Sequence, residues 1–211
     1  MRGVITKTEA GGQLARPKRA HIFERDLHGH YVEPQWCATR LFETESFGPP
    51  GGRVLDPACG WGRILRAAVT AGFAAIGSDI VDRIDRDLLG RVPFSVCDFL
   101  ISSPVASVPS IVCNLPFHLM QEFCERALEV ATFKVAMLCP LRRLPAAHWL
   151  QRMPLETIYL LTPRPSIPPG TWIAAGNKPS GGSQEFCWLV FNKHVTATVQ
   201  RQRWLHREQR E

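Results

Sequence analysis

The stretch IVCNLPFH, residues 111–118, ends an apolar run with Asn114, Leu115, Pro116 and Phe117 side by side. Asn114 is polar, Pro116 has no backbone N–H to donate, and Phe117 is large and flat. A strand ending in a turn accounts for the order. A pocket that grips a planar amino group accounts for the residue types. A second set lies upstream. In VLDPACGWGRIL, residues 54–65, a strand runs through a Gly-containing turn into a helix. Gly60 and Gly62 let a ligand approach the backbone, and the helix start offers free N–H groups. Position 65 is Leu65, so the full dinucleotide fingerprint is absent, and no Gly-Lys-Ser/Thr follows to make a phosphate-binding P-loop. Asp79 ends the next apolar run, about twenty residues past the glycines, where an acid can accept from ribose hydroxyls. Asp98 ends the run after that and can accept from an adenine amino group.

These residues must be held at the ends of strands. RVLDPA, AAIGSDI, PFSVCDFL, PSIVCNLPF and FKVAMLCPL read as five successive strands. GRILRAAVTAGF reads as a helix ending at Gly72, DRIDRDLLG as a short helix or turn, and HLMQEFCERALEVA as a helix with Met120, Phe123 and Leu128 on one side. An earlier helix is expected over 30–47, opening near Pro34 and burying Trp36, Leu41 and Phe42. Strands alternating with helices imply a parallel sheet covered on both faces. After residue 145 the pattern changes. AAHWLQRM predicts a short helix, and LETIYLLTP and EFCWLVFNK predict an antiparallel pair at the sheet edge, joined by a long loop over 163–185.

The 211 residues suffice for one sizeable domain, and 45% hydrophobic with 21% charged residues is ordinary for a globular chain. No apolar run approaches the roughly 20 residues of a membrane span. MRGVITKTEAGGQLARPKRAH lacks the apolar centre of a secretory signal, so a cytoplasmic location is expected. The seven cysteines form no C-x-x-C pair, which points to buried thiols and to neither disulfides nor a metal site. The net charge of +6 suits a polyanionic partner, with basic runs at 16–21 and 201–210. The organisation expected is a basic, flexible segment over 1–29, a domain over 30–194, and a basic tail over 195–211.

DPACGWG, GSDI, CDFL and CNLPF, in this order, resemble the cofactor and catalytic motifs of class I S-adenosylmethionine-dependent amino-methyltransferases. YVEPQW resembles the helix-opening motif that precedes the cofactor strand in many adenine-specific DNA methyltransferases. LTPRPSIPPG and SGGSQEFCWLVF look like the tail of small bacterial and phage enzymes of that kind. The resemblance implies a Rossmann-like class I methyltransferase fold: a mostly parallel seven-stranded sheet, helices on both faces, and an antiparallel edge strand. It implies S-adenosylmethionine as cofactor, held by Asp56, Pro57, Ala58, Cys59, Gly60, Gly62, Asp79, Ile80, Asp98 and Phe99. It implies catalysis at Asn114, Leu115, Pro116 and Phe117. The family usually has Pro where this chain has Leu115, and Leu there is typical of ribosomal RNA adenine dimethyltransferases, which keeps RNA open as substrate. DPACG looks like the DNA enzymes.

The chemistry accounts for these types. The lone pair of an exocyclic amino nitrogen is delocalised into its ring. Two acceptors, the Asn114 side-chain oxygen and the Leu115 carbonyl, favour a tetrahedral nitrogen. Pro116 stiffens the turn, and Phe117 offers a face to a flipped base. His118 is a candidate target contact, although a capping or solvent-facing role suits it better. The 163–185 loop is long enough to be functional. Its Arg164, Trp172, Asn177 and Lys178 are expected to contact nucleic acid. C5-cytosine chemistry is disfavoured because no Pro-Cys dipeptide exists. The reading is adenine-N6 methylation of DNA. RNA adenine, cytosine N4, a protein glutamine amide and a silent cofactor-binding module are the alternatives. A nicotinamide oxidoreductase would leave the Asn-Leu-Pro-Phe turn without a role.

Overall fold

The computed structural model describes residues 29–179, 181–195 and 200–208; the segment 1–28, expected to be a basic arm, lies outside the described residues. The strands are β1 (Arg53–Asp56), β2 (Ala74–Asp79), β3 (Phe94–Val96), β4 (Val108–Cys113), β5 (Ala131–Pro140), β6 (Leu155–Thr162), β7 (Phe186–Asn192) and β8 (Arg201–His206). They form one sheet in the order β3-β2-β1-β4-β5-β7-β6-β8. β7 runs antiparallel to both its neighbours, β5 and β6, and the other pairings are parallel. The helices are α1 (Gln35–Thr44), α2 (Arg63–Thr70), α3 (Met120–Val130) and the short α4 (Gly170–Ala174). No helix among the described residues is long and apolar enough to cross a membrane.

The period-two alternation of a strand explains how β7 can be buried along its whole length. Phe186, Trp188 and Val190 join the core beneath α1 and α2, while Cys187, Leu189 and Phe191 join the core beneath α3. On α1 the buried stripe is Cys37, Ala38, Leu41 and Phe42. Trp36, expected within it, is half-buried at its margin. Met120 and Phe123 of α3 are buried with Cys124, Ala127 and Val130, and Leu128 packs at the edge. AAHWLQRM does not form an α-helix; the chain there makes 3₁₀ segments at Leu141–Ala146 and His148–Arg152, the first containing Pro145. The stretch DRIDRDLLG makes turns rather than a helix.

The sheet has eight strands where seven were expected. The eighth comes from RQRWLH, placed by sequence in the basic tail. β8 pairs with β6 from Thr157↔Arg201 to Thr162↔His206. Leu205 plugs into the core at 1% exposure, and the His206 carbonyl accepts a bond from Arg40 Nε at 3.0 Å.

The far end of α1 is tied down by a buried charge cluster. Lys134 Nζ on β5 lies 2.5 Å from Glu45 Oε1, just past the last turn of α1, and 3.2 Å from Glu156 Oε2 on β6. Tyr159 donates its hydroxyl to the other Glu45 oxygen at 2.8 Å. The helix is thereby fixed at one end, and at its other end Gln35 Nε2 donates to the Arg63 carbonyl at the start of α2 at 2.9 Å.

Candidate active site

A pocket opens at the carboxyl ends of β1, β2, β3 and β4, where open α/β sheets bind ligands. β1 delivers Asp56 and then turns through Pro57, Ala58, Cys59 and Gly60. Gly60 has φ +51°, and a methyl group there would meet His30 Nε2 at 2.7 Å, so only glycine fits. Gly62, with φ +88°, precedes α2 and packs beside Leu88 outside the pocket lining. Asp79, at the end of β2, accepts from the Gly60 N–H at 2.9 Å and the Val81 N–H at 3.0 Å. It therefore braces the glycine turn while lining the pocket. Ile80 lines it as well, 53% exposed. Asp98 follows β3, accepts from the Leu100 N–H at 3.0 Å, and lines the wall with buried Phe99.

β4 delivers Asn114. Its Nδ2 donates to the Tyr31 carbonyl at 2.6 Å and to Glu33 Oε2 at 2.7 Å. Both amide hydrogens are spent, so Oδ1 is the end left for the pocket. Pro116 and exposed His118 also line the pocket. Leu115 buries its side chain at 1% exposure and lies outside the lining. Phe117 does too. Its ring stacks on Tyr31, with centroids 6.2 Å apart and planes 21° apart, and leans on Phe186 at 5.9 Å. The face expected to be open to a base is covered by Tyr31 in this state.

The fourth wall is a strap, residues 29–33, that sequence reasoning did not place in the site. It crosses the glycine turn. His30 packs edge-on to Trp61 with centroids 5.3 Å apart. The strap is also sewn to the 163–185 loop: the Val32 N–H donates to the Pro168 carbonyl and the Gly170 N–H donates to the His30 carbonyl, both at 2.9 Å. Gly170 can approach this closely because any side chain there would strike the His30 ring. The loop contains α4 and is no simple connection. Its Arg164, Trp172, Asn177 and Lys178 are not brought into the pocket. Arg164 pairs with Glu185 at 2.7 Å, Asn177 donates to the Trp172 carbonyl at 2.9 Å, and Lys178 is exposed.

Electrostatically the pocket is acidic. Glu33, Asp56, Asp79 and Asp98 face Arg63 and Arg83. Burial pushes the Asp56 carboxyl well up, and nearby Glu33 adds to it. Asp56 is fully buried, and its Oδ2 has no hydrogen-bond partner among the described residues. Burial likewise raises Glu33 to about 6, against the bonds from its own backbone and Asn114 and the charge of Arg63. Two crowded buried acids with an orphan oxygen are a receptor for a cation.

No family model and no curated protein matches the chain. Solved structures do. A candidate RNA methyltransferase from Pyrococcus horikoshii superposes with a TM-score of 0.55 at 17% identity, over 76% of this chain and 81% of that one. The methyltransferase subunit of a type I restriction-modification system from Streptococcus thermophilus gives 0.56 at 14% identity, over 80% of this chain and 45% of that one. Magnesium protoporphyrin IX methyltransferase from Synechocystis, with S-adenosylmethionine bound, gives 0.52 at 13% identity, over 74% and 76%. The fold is that of class I methyltransferases. Its sheet carries β7 inside the 5-7-6 end and adds β8 outside it.

Proposed function

We propose that the chain is an S-adenosylmethionine-dependent methyltransferase acting on an exocyclic amino group, with adenine N6 of DNA as its target. The observation that carries this reading is the acidic pocket with an orphan carboxylate oxygen, set against an asparagine whose oxygen alone is left open. A dinucleotide brings a pyrophosphate into such a turn and would be repelled by Asp56 and Glu33. A sulfonium nucleoside with an ammonium group is attracted. The residues present fit it. Asp56 Oδ2 suits the ammonium and Arg63, at the start of α2, the carboxylate. Asp79 suits the ribose hydroxyls, and Asp98 with Ile80 and Phe99 suits the adenine.

The cofactor supplies an electrophilic methyl group. The chain supplies position. Asn114 Oδ1 accepts one hydrogen of the target amine, and the Leu115 carbonyl accepts the other. The nitrogen is thereby drawn toward tetrahedral geometry with its lone pair facing the methyl, and it sheds a proton to solvent after transfer. A base entering beside Phe117 takes the place of Tyr31 or slides between the two rings. The DPACGWG and YVEPQW motifs favour DNA over RNA. Purified protein with labelled S-adenosylmethionine and unmethylated DNA is expected to yield N6-methyldeoxyadenosine on nucleoside mass spectrometry. Label appearing in RNA alone would move the target to RNA adenine, and label in neither nucleic acid would overturn the reading.

Cofactor affinity should depend on pH with a definite sign. Glu33 holds a proton below about 6 in the free protein. A cation bound beside it favours the ionised form, so binding expels that proton, and Asp56, raised in the same way, adds to the release. Affinity is therefore expected to rise from pH 5 to 7, by up to about tenfold per pH unit for each proton released. Calorimetry in buffers of different ionisation enthalpy measures that proton count. A flat profile would contradict the acidic receptor.

A further inference from the structure

We infer that Glu33 is a positioning residue for Asn114: with the Tyr31 carbonyl it occupies both amide hydrogens and so turns Oδ1 to the target. This deepens the proposed function and rests on it.

Hydrogen-bond capacity fixes the orientation of the Asn114 amide. An amide nitrogen has two hydrogens and the oxygen none. Asn114 Nδ2 meets two acceptors, Tyr31 O at 2.6 Å and Glu33 Oε2 at 2.7 Å. A flipped amide would set Oδ1 against a carbonyl and a carboxylate in a site where Glu33 is only 6% exposed. Unpaired buried acceptors of that kind are costly. The Tyr31 carbonyl alone leaves one hydrogen uncommitted, and the side chain can then rock about its last torsion, which is intrinsically soft. Glu33 supplies the second point of attachment.

Glu33 is itself held. Pro34 and α1 follow it directly, and its own carbonyl accepts from Arg63 Nη1 at 2.8 Å. The charged and titratable groups that face it are Arg63 from α2, Asp56 from β1 and Cys37 from α1. Its position on the strap also explains why a carboxylate sits in a buried place with so little to neutralise it. Its partner is an amide, which binds it without removing its charge.

The test compares Glu33→Gln, whose side-chain oxygen can still accept from Asn114, with Glu33→Ala, which cannot. Side-chain 15N–1H resonances of Asn114, assigned by their loss in Asn114→Ala, report the amide directly. The wild type and Glu33→Gln are expected to show two distinct, slowly exchanging protons. In Glu33→Ala at least one should lose its protection, at unchanged far-ultraviolet circular dichroism. In turnover at saturating donor, Glu33→Ala should lose about tenfold or more in kcat and Glu33→Gln should recover most of that rate, while donor KM rises alike in both variants because both lack the Glu33 charge. Unchanged Asn114 resonances in Glu33→Ala would overturn the inference. So would a loss carried entirely by KM for the donor. If the wild type transfers no methyl group to DNA or RNA, the functional reading fails, and the resonance comparison still decides whether Glu33 holds Asn114.

Discussion

Asn114→Ala is expected to lower kcat by at least about a hundredfold, the size seen when one preorganised polar contact to a reacting group is removed, with donor affinity little changed. The less obvious result concerns Asn114→Asp. An aspartate carries two acceptor oxygens and looks conservative for a residue whose proposed work is to accept. Here it should be at least as damaging as alanine. Asn114 Nδ2 faces the Tyr31 carbonyl and Glu33 Oε2, and a carboxylate can donate to neither. It would also add another acid beside Glu33 and Asp56, both already raised by burial. The pairing is restored in part if the neighbour becomes the donor. Asn114→Asp combined with Glu33→Gln is therefore expected to be more active than Asn114→Asp alone, and single-turnover rates at saturating donor measure the difference. Equal rates for the two would show that the Glu33 contact does not choose the residue type at 114.

The largest effect on stability is expected at Lys134→Met. Lys134 is 7% exposed and Glu156 9% exposed, so the cluster sits inside the protein. A buried pair contributes little net stability as a pair, because desolvation cancels most of the attraction. Removing one partner is different. Glu45 and Glu156 would keep their charges with neutral hydrogen-bond donors alone, Tyr159 and the Ser46 N–H on Glu45 and Asn192 on Glu156. The loss expected is about 3–5 kcal/mol, a large share of the roughly 5–15 kcal/mol of a typical domain. Urea unfolding monitored by tryptophan fluorescence gives the number. Adding Glu45→Gln and Glu156→Gln to Lys134→Met should return much of it, since no unpaired charge is then left. A loss under 1 kcal/mol would mean that water reaches the cluster.

The legible parts of this chain were those where local chemistry and periodicity agreed. The four motifs that carry Asp56, Asp79, Asp98 and Asn114 each lie at or just past the end of a strand, and the sheet brings all four to one end. The strand β8 was not legible because one buried residue, Leu205, holds it to the core and its other side chains are polar or exposed. No alternation can be read from a single position. Glu33 was missed for another reason. In the sequence it is one acid before a proline, and its meaning depends on a contact 81 residues away. The same holds for His30, whose place over Gly60 is fixed by tertiary packing. The 163–185 residues were chosen by type, as basic and aromatic side chains in a long loop. Type alone does not say that Arg164 would be taken by Glu185.

The position of β8 has a consequence for the behaviour of the chain in crowded solution. An outermost strand offers a row of unpaired N–H and C=O groups to any passing molecule. Here that row belongs to RQRWLH, whose Arg201 and Arg203 are exposed and repel a second copy of the same strand. Behind it lies β6, LETIYLLT, rich in apolar and β-branched residues, the composition most prone to cross-strand aggregation. The arginines thus act as gatekeepers for the strand they cover. Shortening the chain before residue 201 would uncover β6, and loss of solubility would follow before any loss of catalytic chemistry.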